Sequence, residues 1–319
     1  PADRASREAD LDYLAITLSH PRWLAARWLD RYGFEAAESW MQFDNTPAPA
    51  TLRINRLRTT PTDALASLAA EEVEVEPGRY AADALLVRAG AAVRSKVVAD
   101  GLCVVQDEAS QLVAALAHAS PEQRILDTCA APGGKATAIA AAMGGRGLIV
   151  ACDRRPARVA LLSRTVAHAG ASRVRIVQAD LLHPVPFQPV FDCVFVDAPC
   201  SGLGTLRRDP DIKWRRQESD LASYSRAQGQ MLQHASAAVR PGGRLVYATC
   251  SSEPDENDQV IARFLAGHPD FSLAPLVGAA PAVPAAVVDA GCWLRTSPHQ
   301  HGLEAFFGAV LVRSHRPKM

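Results

Sequence analysis

"FDCVFVDAPCSGLG" (Phe191–Gly204) is an apolar run that ends in a carboxylate, a proline and a cysteine. Its strand-like part, Phe191–Pro199, does not alternate as a half-solvated strand would, so it reads as buried on both faces. Four other runs share that character: Arg124–Thr128, Gly147–Asp153, Val174–Asp180 and Gly243–Thr249. Helical runs lie between them, such as "PARVALLSRTVAHAG" with Pro156 near its start and Gly170 after its end. Buried strands joined by helices predict an α/β fold, a doubly wound and mostly parallel sheet covered on both faces. "FFGAVLVRS" (Phe306–Ser314) follows a long proline-rich loop and is expected to close the sheet as an antiparallel edge.

Upstream, the pattern differs. "HPRWLAARWLDRYGFEAAESWMQF" (His20–Phe43) spaces Trp23, Leu24, Trp28, Leu29 and Phe34 near the helical period. After the breaker "DNTPAPA", "TLRINRL" (Thr51–Leu57) alternates like a strand, "TPTDALASLAA" (Thr60–Ala70) reads as a capped helix, and "VEVEPG" and "ALLVRAG" as short strands. The expected organisation is a helical segment over 1–45, a small α+β module over 46–106 and a large domain over 107–319, opening on the helix "DEASQLVAALAHA".

The 319 residues carry 34 basic and 34 acidic side chains, so nucleic acid could be attracted only by local patches. Only Lys96, Lys135, Lys213 and Lys318 are lysines. The seven cysteines show no CxxC spacing, which argues against zinc. Their odd number and the lack of an opening signal peptide suggest free thiols in a reducing cytoplasm. No apolar run is long enough to span a membrane. The chain opens at Pro1 rather than methionine, as a processed or truncated product would.

Ligands of doubly wound sheets bind beyond the carboxyl ends of the strands. After the first strand comes "DTCAAPGGKATAIA" (Asp127–Ala140), whose Gly133 and Gly134 allow close backbone approach to a ligand or simply a tight turn. Asp153 ends the second strand, placed to accept from ribose hydroxyls or to cap the next helix. Asp180 ends the third, facing an adenine amino group or capping a turn. Without a GxGxxG or P-loop, the three fit S-adenosylmethionine better than a dinucleotide or ATP. That spacing also argues against the rival reading, a dinucleotide-dependent oxidoreductase.

Cys103, Cys152 and Cys193 lie within strand runs and read as core thiols; Cys129 adjoins the glycine loop, and Cys292 has no assigned role. Cys200 and Cys250 each follow a strand at the ligand edge, before small polar residues expected to leave room for a substrate. Position alone leaves the two equivalent.

The segments "LRIN", "VVQDEASQL", "LDTCAAPGGKA", "VDAPCSGLGTLRRDPDIKW" and "YATCSSEPDEND" resemble the Sun-type (Fmu, nucleolar-protein-related) RNA cytosine-5 methyltransferases, from about Trp23 to Arg313. Within that family the similarity is greatest to bacterial enzymes acting on small-subunit ribosomal RNA. The resemblance implies a Rossmann-like class I methyltransferase domain with a seven-stranded sheet, an RNA-binding N-terminal module and S-adenosylmethionine as cofactor. It implies that Cys250 is the nucleophile adding to carbon 6 of cytosine, that Cys200 assists elimination and release, and that Asp197 holds the base. It implies cofactor contacts from Cys129, Ala130, Ala131, Pro132, Gly133, Gly134, Lys135, Asp153, Asp180 and Asp197, with Arg158 either assisting or a solvated surface arginine. No metal is implied, and a monomer is expected.

A reactive Cys250 needs positive charge or helix amides nearby; Lys135 and the arginines of "LRRDPDIKWRR" (Leu206–Arg216) are the candidates. That basic run, with Trp214, and Arg53 and Arg56 of the module are expected to meet RNA. Alternatives from other classes are a transfer-RNA enzyme of the same chemistry and a non-catalytic RNA-binding assembly factor. The chain departs from the family at "SPHQHGLEAFFGAVLV", where Glu304-Ala305 replaces an Asp-Gly.

Overall fold

The computed structural model describes residues 4–276 and 282–315. Strands β1 (Thr51–Ile54), β2 (Glu74–Pro77), β3 (Ala84–Ala89) and β4 (Cys103–Val105) form an antiparallel sheet in the order β2-β3-β1-β4. The helix Pro61–Ala70 packs on it, started by Thr60, whose hydroxyl accepts from the Asp63 amide.

The larger sheet is built from β5 (Arg124–Asp127), β6 (Leu148–Asp153), β7 (Val174–Gln178), β8 (Phe191–Asp197), β9 (Val239–Thr249), β10 (Phe271–Leu273), β11 (Val288–Asp289), β12 (Trp293–Arg295) and β13 (Phe307–Arg313). Its order is β11-β12-β13-β9-β8-β5-β6-β7, with β10 also on β13. Strands β5 to β9 are parallel, as expected. Successive residues go to opposite faces. Ile125, Phe195 and Val246 join one core with Ile139 and Leu162, whereas Leu126, Val194, Val196 and Leu245 join another with Leu232 and Phe264. Two covered faces explain the unbroken apolar stretches of β6, β8 and Leu245–Ala248, whereas β7 at the edge keeps Arg175 and Gln178 exposed.

Two expectations are corrected here. The sheet has nine strands rather than seven, because β10 and β11 are too short to show a pattern. The final strand is antiparallel but not an edge: β12 pairs with Phe307–Ala309 and β10 with Leu311–Arg313, while β9 pairs along nearly all of it. The proline-rich stretch before it therefore contains β11 and β12; its residues 277–281 lie outside the described ones.

The N-terminal segment is helical over Arg4–Asp12, Arg22–Tyr32 and Phe34–Asp44, with a π-helical turn at Tyr13–Thr17. Leu24, Trp28, Trp40 and Met41 bury against Leu203, Leu206 and Ala305. This segment therefore packs on the loop that follows Cys200 and the one that precedes β13. No described helix is long and apolar enough to cross a membrane.

Candidate active site

Parallel neighbours in register bring their carboxyl ends together. Asp197 of β8 pairs with Ala248 of β9, so the loops beginning at Ala198 and Cys250 leave the sheet side by side. The Cys200 and Cys250 sulfurs lie 3.2 Å apart, both partly exposed. The Gly204 amide donates to the Cys250 carbonyl at 2.9 Å, and the Gly204 carbonyl accepts from Ala305 at 2.8 Å. A Cβ on Gly204 would stand 2.0 Å from the Ala305 carbonyl oxygen, so only glycine fits where these three segments meet.

Beneath the sulfurs lies a carboxylate that the sequence reading missed. Glu256 is fully buried. Its Oε1 accepts from the Ser201 amide and from Gln228 Nε2, each at 2.9 Å; its Oε2 accepts from the Ser201 and Ser251 hydroxyls, each at 2.5 Å. Ser201 and Ser251 are the residues after the two cysteines. They are buried too, so they do not leave room for a substrate; they fasten both loops to one anion. The repeated Cys-Ser was the available signal.

Helices hold the second loop from outside. Trp28 Nε1 donates to Glu253 Oε1 at 3.1 Å, Arg27 Nε to Glu253 Oε2 at 2.6 Å, and Arg31 Nη1 to the Ser252 carbonyl at 2.8 Å. Burial raises the Glu253 pKa, but Arg31 and Arg27 outweigh it and hold it below the usual carboxylate range.

Of the candidate cations, Lys135 reaches the site. Its Nζ donates to Asp197 Oδ2 at 2.6 Å and lies 5.6 Å from the Phe306 ring centroid. The Cys250 thiol is lowered from its ordinary value, first by the hydrogen bond from Cys200 and then, against burial and Asp197, by Lys135. The same hydrogen bond pushes Cys200 well up. Nothing in the residues alone distinguishes the two thiols; in the folded chain the charge that differs between them is Lys135, which acts on Cys250.

The arginine run is committed elsewhere. Arg207 donates to the Thr46 and Pro47 carbonyls, Arg208 to Asp107, Arg215 to Asp211 and Arg216 to the Ser201 carbonyl. Lys213 is buried, 3.4 Å from Asn45 Oδ1. Trp214 stands out at 59% exposed, and Arg215 beside it is exposed too, its pairing with Asp211 lying on the surface. Arg53 is likewise removed from any RNA surface: β1 is central in its sheet, and Arg53 Nη2 donates to Thr137 Oγ1 at 2.9 Å while 3% exposed. Arg56 stays half-exposed, paired with Asp83 at 2.6 Å.

The remaining predicted residues gather at the ends of β5 to β8. Gly133, at φ +114°, starts the helix Gly134–Ala142, whose first turn has no side-chain cap. Cys129 is partly exposed, and Ala130, Ala131 and Pro132 complete the turn, with Arg158 donating to the Ala131 carbonyl. Arg158 Nε also donates to Asp153 Oδ2 at 3.0 Å, so it is not merely a surface arginine. Asp153 Oδ1 accepts from the Arg155 amide at 3.1 Å and Asp180 Oδ1 from the Leu182 amide at 3.0 Å; both serve their turns, and the second oxygen of each faces an arginine, Arg158 at 3.0 Å and Arg154 at 3.8 Å. Asp127, unremarked in the sequence, is fully buried and pushed up to about 7 by burial and by Asp197. An uncapped helix start, glycines and acceptor carboxylates fit a ligand with an anionic end, ribose hydroxyls and an amino group. Among the described residues no group of His, Cys, Asp and Glu could hold a metal ion.

The family model described as 16S rRNA methyltransferase RsmB/F matches residues 114–312, and the RsmF/B-like ferredoxin-like domain matches residues 20–94. The chain is 37% identical over 260 residues to the probable ribosomal RNA small subunit methyltransferase B of Bacillus subtilis, covering 81% of this chain and 58% of that protein. It thus spans about three-fifths of that relative's length. The crystal structure of PH0851 is similar at a TM-score of 0.87 and 30% identity, covering 94% of this chain and 68% of that one. The crystal structure of a methyltransferase homolog protein from Pyrococcus horikoshii shares the fold at a TM-score of 0.82 and 24% identity, covering 96% and 99%. A matched family model over more than half of the chain, joined to the same two-part fold, means that this chain belongs to the 16S rRNA methyltransferase RsmB/F family.

Proposed function

We propose that this chain is an RNA cytosine-5 methyltransferase, acting on small-subunit ribosomal RNA with S-adenosylmethionine as cofactor. The observation that carries the reading is the pair of thiols, 3.2 Å apart, beside Lys135 and Asp197 at the ligand edge of the sheet. Carbon 5 of cytosine is a poor nucleophile until a thiolate adds to carbon 6. Cys250, the thiol with the lowered pKa, adds there. Asp197, held by Lys135, hydrogen-bonds the base edge. S-adenosylmethionine, when bound, supplies an electrophilic methyl group. Its methyl would pass to carbon 5 as its own sulfur–carbon bond breaks and the thioether leaves; a base assisted by Cys200 then takes the carbon 5 proton as the bond from carbon 6 to Cys250 breaks, returning the thiolate. The Cys129–Lys135 turn holds the methionine end, Asp153 with Arg158 the ribose, and Asp180 the adenine.

RNA contact is assigned to exposed Trp214 and Arg215, to Arg56 and to a cavity of ≈ 460 Å³ whose lining includes Tyr32, Arg295 and His299 beside Ser251 and Ser252. The N-terminal helices (1–45) and the α+β module (46–106) belong to this RNA-facing part, with catalysis in 107–319. The free cysteines fit a reducing cytoplasm.

The test pairs two variants with radiolabelled cofactor and small-subunit RNA. Cys250→Ala should transfer no methyl and form no adduct, whereas Cys200→Ala should accumulate a covalent RNA–protein adduct on a denaturing gel. The reverse pattern would make Cys200 the attacker. Wild-type protein that transfers no methyl to any RNA sinks the reading.

A further inference from the structure

We propose that Cys200 and Cys250 close reversibly into a disulfide when the protein meets a peroxide, making the candidate catalytic pair a redox-modification site as well. The disulfide itself follows from the geometry of the two sulfurs; only its effect on methyl transfer rests on the function proposed above.

Three observations carry it. The sulfurs are 3.2 Å apart and a disulfide needs about 2 Å, so roughly 1 Å of approach suffices. The sulfurs are held at that range from several sides: Glu256 grips both following serines, whose hydroxyls are 3.2 Å from each other, and Gly204 bonds the Cys250 carbonyl. Both thiols are partly exposed, whereas Cys103, Cys152 and Cys193 are buried within strands. A small oxidant therefore reaches this pair and not those.

The chemistry matches the arrangement of a peroxide-sensing thiol beside a resolving one. The Cys250 thiolate attacks a peroxide oxygen; the O–O bond breaks, and that sulfur becomes a sulfenic acid as the departing oxygen leaves as water. The Cys200 sulfur attacks the Cys250 sulfur, the S–O bond breaks, and the leaving hydroxide takes the Cys200 proton to form a second water. Two thiols and one peroxide give one disulfide and two waters, with two electrons passed to the peroxide. A dithiol reverses the reaction by exchange. The polarity agrees with the surroundings, since Lys135 and the Cys200 hydrogen bond favour the Cys250 thiolate. Cys129, also partly exposed, follows β5, the strand beside β8, but burial and the Asp127 carboxylate push its thiol far up, so it is a poor attacker.

The full chain is treated with hydrogen peroxide, its remaining thiols are alkylated, and intact mass and linked peptides are measured. The expected result is a loss of two hydrogen masses, a peptide pair joining Cys200 to Cys250, and recovery with dithiothreitol. Cys200→Ala should show no such link and should gain two oxygens at Cys250 instead. Oxygen added at Cys250 of the wild-type chain without a link, or a link from Cys250 to Cys129, overturns the proposal. Methyl transfer is read on the same samples and should be lost and regained with the link. A link that forms while methyl transfer persists upholds the disulfide and overturns Cys250 as the nucleophile, so the two readings fail separately.

Discussion

Removing the Glu256 carboxylate should loosen the candidate site and the fold together, in amounts its four hydrogen bonds define. In Glu256→Ala the Ser201 amide and Gln228 Nε2 lose a buried acceptor. Each costs about 1–3 kcal/mol when left unsatisfied. The two serine hydroxyls lose less, because they already lie 3.2 Å apart and can pair with each other. The expected loss is about 3–5 kcal/mol, a large part of the roughly 5–15 kcal/mol that holds a domain folded. Glu256→Gln is different. Its amide oxygen can take the Oε1 position, facing two obligate donors, and its NH2 can face two hydroxyls that are free to turn and accept. Only charge assistance is lost, at about 1 kcal/mol. Urea unfolding at neutral pH measures both. Methyl transfer on the same proteins should fall far more in Ala than in Gln, through turnover rather than cofactor KM, because the two thiols lose their fixed spacing while the glycine loop is untouched. Glu256→Ala with wild-type unfolding and wild-type turnover would refute the reasoning.

Lys135→Met removes a cation that helps lower Cys250. The alkaline-rising limb of the rate–pH profile should move to higher pH, and an unmoved limb means that Lys135 does not tune the thiol. Glu304 is raised to about 8 by burial and by Asp107, against its 3.3 Å pairing with Arg208. The folded state therefore holds its proton more tightly than the unfolded chain. The resulting stability is fully present below about pH 4.5 and lost as pH rises toward about 8. Glu304→Gln should flatten that decline and gain about 2 kcal/mol at the alkaline end in urea titrations across this window. Gly204→Ala places a Cβ 2.0 Å from the Ala305 oxygen, and Ala305 cannot move away without breaking the 2.8 Å bond from its amide to the Gly204 carbonyl. A loss of about 3 kcal/mol in thermal unfolding, with turnover lost, is the expected result.

The parallel strands were legible because burial on both faces forces a short unbroken apolar run, bounded here by turn residues. Positions were harder where a side chain's fate depends on a distant partner. Arg53 reads as an exposed base on an alternating strand until Thr137, 84 residues on, is seen to take its proton donor. Lys213 reads as part of a basic patch until Asn45 and Asp44 are found beside it. Charge runs give composition and not direction; of the residues expected to meet RNA, Arg53 and Lys213 are buried while Trp214, Arg215 and Arg56 stay exposed. Glu256 sits in "SSEPDEN", which has the composition of any polar loop; only the folded chain shows its carboxylate beneath both cysteines.

Why two cysteines fifty residues apart become one site follows from the sheet alone. The helix Glu218–Ser236 returns the chain from β8 to an adjacent parallel strand, so both carboxyl ends finish at the same edge. With Asp197 opposite Ala248, Cys250 falls level with Pro199, one residue before Cys200. Parallel neighbours stand about 4.8 Å apart, within reach of two short side chains. A register slip of one residue in β9 would turn Cys250 to the opposite face and separate the sulfurs. Val194, Val196, Leu245 and Tyr247, all fully buried, oppose that slip, because it would exchange the residues of two filled cores. The packing of strand interiors thus fixes the chemistry at their ends.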